Sequence, residues 1–142
     1  MLTATEKGRK LHITIGDPSE PDAITLEVAP VDVETGALLL AHFLNIHVGV
    51  AADAITAAED MALVALGEEN FKTAQTLRPE EFRGAVQCAF FWNTQGGGTE
   101  ALQTYLSDGL PKAVEVVFEA AGVQPTPPSK TSPSSESENP TP

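Results

Sequence analysis

Apolar and polar side chains alternate from Leu11 to Ile15, with Leu11, Ile13 and Ile15 on one side, and alternate again through Ile24, Leu26 and Val28. A period of two places such residues on one face of a strand. Between the runs, Gly16, Asp17, Pro18, Ser19, Glu20, Pro21 and Asp22 supply turn chemistry. The pattern predicts a β-hairpin, which is marginal alone and must lay its apolar face on other elements.

Beyond Pro30 the period changes to that of helices. Asp32 and Glu34 suit a cap and first turn, and Ala37 to Leu44 is apolar on nearly every side, which predicts a central helix. A break from Asn45 to Ala52, around Gly49, precedes a second helix capped by Asp53, with Ile55, Ala58, Met61, Ala62, Ala65 and Leu66 at helical spacing up to Gly67. Glu68 to Thr76 predicts a short helix bearing Phe71. Pro79 fits the first position of the next helix, where Glu80 and Glu81 face the positive end of its dipole. Phe82, Val86, Ala89 and Phe90 form its stripe, flanked by Cys88, Phe91 and Trp92. Gly96, Gly97 and Gly98 end it, and Thr99 is placed to cap a helix carrying Ala101, Leu102, Tyr105 and Leu106. Leu110, Ala113, Val114, Val117, Phe118 and Ala121 then give an i, i+3, i+4, i+7 pattern closed by Gly122.

The expected fold is therefore α+β, mainly α: an N-terminal β-hairpin packed on a bundle of about five short helices. The expected organisation is a flexible N-terminus over residues 1–8, one domain over 9–122 and a Pro/Ser/Thr-rich tail over 123–142. No large apolar residue follows Gln124, so that tail is expected to be disordered.

Charge narrows the range of partners. Eight basic residues against 20 acidic ones give a formal net charge of −12, opposite in sign to what nucleic acid or an anionic membrane attracts. Neither is an expected partner. The N-terminus has no basic patch followed by an apolar stretch, so no signal peptide is expected, and the longest apolar run is short of the roughly 20 residues that span a bilayer.

Catalytic and metal chemistry finds little footing. Cys88 is the single cysteine and sits in an apolar run, which predicts a buried, inert thiol. His42 and His47 are five apart, on different faces of a helix, and His12 lies on a strand. The triple glycine superficially resembles a phosphate cradle but lacks the Lys-Ser/Thr pair and follows no strand, so a flexible helix–helix connection is the expected role. Carboxylate pairs Glu68/Glu69 and Glu80/Glu81 sit at helix starts, where dipole effects account for them. No catalytic, cofactor-binding or metal-binding residue is expected. The remaining candidates are aromatic: Phe90 and Phe118 share stripes with core residues, whereas Phe91, Trp92 and Tyr105, near the Gly-rich loop, are candidate partner-binding anchors.

The order of features resembles the tail assembly chaperones of long-tailed actinobacteriophages. The matching residues are Ile24 to Pro30, Glu34 to Leu40, Ala65 to Gly67, and Ala89-Phe90-Phe91-Trp92-Asn93-Thr94-Gln95-Gly96-Gly97-Gly98-Thr99-Glu100-Ala101 with Tyr105, together spanning most of residues 11–106. The chain departs from the pattern at Leu106 and Ser107, where a second aromatic would follow Tyr105. The resemblance implies a protein of the host cytoplasm, absent from the mature virion, that binds the tape measure protein and keeps its hydrophobic helices from aggregating. It also implies a longer product made by programmed frameshifting, diverging within the tail. Self-association is a further expectation. The alternatives are a connector protein retained in a phage particle, and a small cytoplasmic enzyme or ligand-binding domain.

Overall fold

A computed structural model of the chain describes residues 2–17, 19–47 and 54–122. The expected break over 48–52, the Asp53 cap and the 123–142 tail lie outside them.

The fold is α+β and mainly α: a three-stranded antiparallel meander followed by six helices among the described residues. Strands β1 (Leu2–Lys7), β2 (Lys10–Ile15) and β3 (Ile24–Val28) pair in chain order, with Leu2 opposite Ile15 and Ile13 opposite Leu26. The alternation read for β2 and β3 is present, and Leu11, Ile13, Ile15, Leu26 and Val28 are buried on one face. The opposite face carries Thr3, Thr14 and Thr25 in one cross-strand row and is largely solvated.

Strand β1 corrects the expectation that residues 1–8 are a flexible N-terminus. Its inward positions, Leu2, Ala4 and Glu6, hold only one large apolar residue, so the period-two signal is faint. Pairing is set instead by a two-residue turn, with Lys7 opposite Lys10 and Gly8 at φ 65°, a conformation glycine adopts at no steric cost.

Helices α1 (Val33–His47), α2 (Ala54–Leu66), α3 (Glu68–Ala74), α4 (Pro79–Asn93), α5 (Thr99–Asp108) and α6 (Leu110–Ala121) follow. Asp32 accepts the Thr35 backbone N–H at 2.8 Å, the cap expected for α1. Hydrogen bonding from Thr35 also holds the Asp32 carboxyl below its usual range. At the start of α4, the Glu81 carboxylate accepts the Arg78 backbone N–H at 3.2 Å. The start of α5 differs from expectation: Gly98 is its cap, while the Thr99 hydroxyl donates to Glu6 of β1 at 3.0 Å.

The central place falls to α4, which packs on β1, β2, α1, α2 and α5. Its Ala85, Val86, Cys88, Ala89, Phe90 and Phe91 are all buried. Phe43 of α1 stacks on Phe90 with ring centroids 4.7 Å apart and meets Phe118 edge-on at 6.1 Å, joining α1, α4 and α6 in one aromatic core. The sequence expectation of a central α1 is thereby corrected. Gly36, Leu39, Leu40 and Phe43 are buried, but Val33, Ala37, Leu38 and Ala41 face outward, with Val33 89% and Leu38 47% exposed.

The corner between α4 and α5 is tightly built, which corrects the expectation of a flexible connection at the triple glycine. A Cβ on Gly97 would stand 2.2 Å from the Phe91 carbonyl oxygen, and one on Gly96 would stand 2.5 Å from that of Val117. Asn93 ties the corner to the other elements: its Oδ1 accepts the Val31 N–H at 3.1 Å, and its Nδ2 donates to the carbonyls of Ala29 and Ala65, each at 3.3 Å.

Candidate interaction groove

The three aromatic candidates part company in space. Phe91 is 0% exposed, sandwiched between the core and Tyr105, so it is a structural residue and reaches no partner in this conformation. The helical sequence of α4 leaves that side open; α5 covers it through Tyr105. Trp92 is half-buried on the sheet side, where its indole N–H donates to Glu6. Tyr105 borders a cavity. Its ring stacks on Phe91 with centroids 5.3 Å apart and planes at 28°, and its hydroxyl donates to Gln87 Oε1 at 2.6 Å. Burial, followed by the nearby Cys88 thiol, pushes the phenol above its usual range, while Arg83 opposes the shift.

That cavity is an open groove of about 660 Å³ where the beginning of β1 meets α4 and the α5–α6 corner. Leu2, Tyr105, Leu106 and Leu110 form its apolar walls, and Arg78, Glu80, Glu81 and Gln87 its polar border. Arg78 pairs with Glu80 at 2.8 Å. Gly84 allows the approach of β1, since a Cβ there would lie 3.0 Å from Leu2 Cδ1. Leu2, Gly84 and Leu110 were not among the sequence candidates. Gly84 offered a signal, because an isolated glycine inside a helical pattern marks close approach.

Other candidate chemistry is accounted for by the fold. The Gly97 N–H donates to Thr94 O and the Gly98 N–H to Phe91 O, at 2.9 and 2.8 Å, so the triple glycine closes a corner and those amides are not free to cradle an anion. Cys88 is buried as expected, and desolvation pushes its thiol up to about 12. His12 lies 3.6 Å from Glu27 on the solvated sheet face. Among the described residues, no group of three or more His, Cys, Asp or Glu is placed to hold a metal, and no helix is long and apolar enough to cross a membrane. Compared with protein-family models, curated proteins and solved structures, the chain finds no match.

Proposed function

We propose that this protein is a phage tail assembly chaperone that binds the tape measure protein and keeps it from aggregating until the tail is built. The carrying observation is the open groove walled by Leu2, Tyr105, Leu106 and Leu110. Its volume lies within the roughly 300–1,000 Å³ of binding pockets, and its shape suits apolar side chains at i, i+3 and i+4 of a client helix better than a buried small molecule. An acidic body supports the role by keeping the complex in solution. The sequence resemblance over residues 11–106 supports the choice of client. On this reading the protein acts in the host cytoplasm, stays out of the virion and is the short product of a frameshifted pair.

The test is co-expression with the very long reading frame encoded just downstream. The tape measure protein becomes soluble and co-purifies with the wild-type chain, and loses both properties with Leu106→Glu. An insoluble client, together with recovery of this chain from purified particles, would instead support a connector protein.

A further inference from the structure

The outward side of α1 is apolar where a lone helix on a protein surface is ordinarily polar. Val33, Ala37, Leu38 and Ala41 are exposed there, and Glu34 is the single charge among them. A helix with this composition is covered on both sides in a finished assembly. The face also has a directional polar pattern. Glu34, Leu38 and His42 follow one another at intervals of four, about one helical turn, with the acid at one end, the imidazole at the other and the leucine midway. Among the described residues, the side chains of Glu34 and His42 make no hydrogen bond or ion pair.

We propose that this face binds a second copy of the chain, the two α1 helices lying antiparallel about a two-fold axis at Leu38. In that arrangement Leu38 meets its own symmetry mate, and each Glu34 lies beside the other copy's His42. Ala37 and Ala41 let the backbones approach. A parallel pairing would set Glu34 against Glu34 and leave both imidazoles without a carboxylate, so the charges select the antiparallel one. The contact is isologous and closes on itself, producing a dimer and no filament. It also leaves free the groove, which α1 does not line. A dimer therefore presents two grooves, and two linked sites hold one long client more firmly than either alone.

Sedimentation velocity of the full chain over a range of concentrations tests the pairing. The wild type gives a dimer whose share rises with concentration, and Leu38→Glu raises the dissociation constant on the order of a hundredfold, because a charge replaces the leucine of each copy at the axis. Glu34→Lys and His42→Glu each weaken the dimer, and the double variant restores it. Leu38→Cys, which places no charge at the contact, forms a covalent dimer on mild oxidation, whereas Glu119→Cys on the exposed side of α6 does not. A chain that stays monomeric at every concentration, or a dimer indifferent to Leu38→Glu, overturns the proposal. A double variant as weak as the single ones overturns the antiparallel arrangement. None of these readings involves the tape measure protein, so they stand or fall separately from the chaperone role.

Discussion

Trp92 on α4 donates its indole N–H to the carboxylate of Glu6 on β1 at 2.5 Å, across 86 positions of chain, and the same carboxylate accepts the Thr99 hydroxyl at 3.0 Å. One acid thus fastens the first strand to the corner between α4 and α5. Replacing Glu6 with Ala removes the acceptor from both donors. Because the site is solvent-accessible, water substitutes in part, and the expected cost is about 1 kcal/mol in urea unfolding. Trp92 is the chain's single tryptophan, so its fluorescence reports directly on the contact. The emission of Glu6→Ala shifts to the red while the fold is retained; an unchanged spectrum would show that Trp92 does not depend on this bond.

At the Gly-rich corner, Gly97→Ala forces a Cβ to within 2.2 Å of a backbone carbonyl of α4, which no side-chain rotation relieves. The expected destabilisation is about 3 kcal/mol, toward the upper end for overpacking. Gly98→Ala meets no atom within 4 Å but must hold φ at 127°, and costs about 1 kcal/mol. Denaturant midpoints at constant m value order the two variants. A flexible linker would tolerate both equally.

These corners explain what could be read from sequence and what could not. Strands β2 and β3 were legible because a sheet with one buried face imposes strict alternation, and α6 because its stripe is continuous from Leu110 to Ala121. Strand β1 was not, since Leu2, Ala4 and Glu6 point inward and the pairing depends on the Gly8 turn and on a hydrogen bond to a distant tryptophan. The wide aromatic arc of α4 predicts a helix set against several neighbours, as found, whereas the all-round apolar run of α1 predicts a central helix and does not produce one. Residues 37–44 are the more uniformly apolar, yet α4 is enclosed, because its small and aromatic residues accept neighbours on several sides while α1 keeps an uncovered face. Of the candidate anchors, Tyr105 lies where a partner could touch it; Phe91 does not, for a reason held in α5 and invisible along α4 itself.

Cys88 makes stability depend on alkaline pH. Burial raises its thiol from 9.0 to about 12 in the folded protein, so the folded state keeps the proton that the unfolded chain gives up first. The stability contributed is complete below pH 9 and is lost as pH rises toward the folded value. The expected slope is about 1.4 kcal/mol per pH unit across that window. Cys88→Ala, less stable at neutral pH for the lost packing, removes this part of the slope, which urea titrations at pH 8, 9 and 10 would resolve. An equal slope in both proteins would show that the thiol is reached by solvent.

Asn93 presents one acceptor to Val31 and two donors to the carbonyls of Ala29 and Ala65, and so joins the sheet's exit, the end of α2 and the end of α4. Asn93→Asp keeps the shape and the acceptor but turns a carboxylate oxygen toward two carbonyls. The expected cost is about 2–3 kcal/mol, since donors are lost and like partial charges are opposed. It falls at acid pH, where a protonated carboxyl can donate again. Thermal melts at pH 4 and pH 7 provide the measurement, and a larger deficit at pH 4 would contradict this geometry.

Phe91 and Leu106 sit at different depths on the same side of the molecule, and exchanging their fates separates a binding surface from the core beneath it. Phe91 stacks under Tyr105 with no exposed area, so Phe91→Ala leaves a cavity and costs about 3–5 kcal/mol. Leu106 is 38% exposed at the groove wall, so Leu106→Glu changes stability by about 0.5 kcal/mol or less while placing a charge where a client's apolar side chains would enter. Melting temperature and client recovery, measured on both variants, therefore move independently: Phe91→Ala lowers the first, and Leu106→Glu lowers the second alone. If Leu106→Glu melts like wild type and still recovers the tape measure protein, the client is held elsewhere on the surface and the groove has no part in binding.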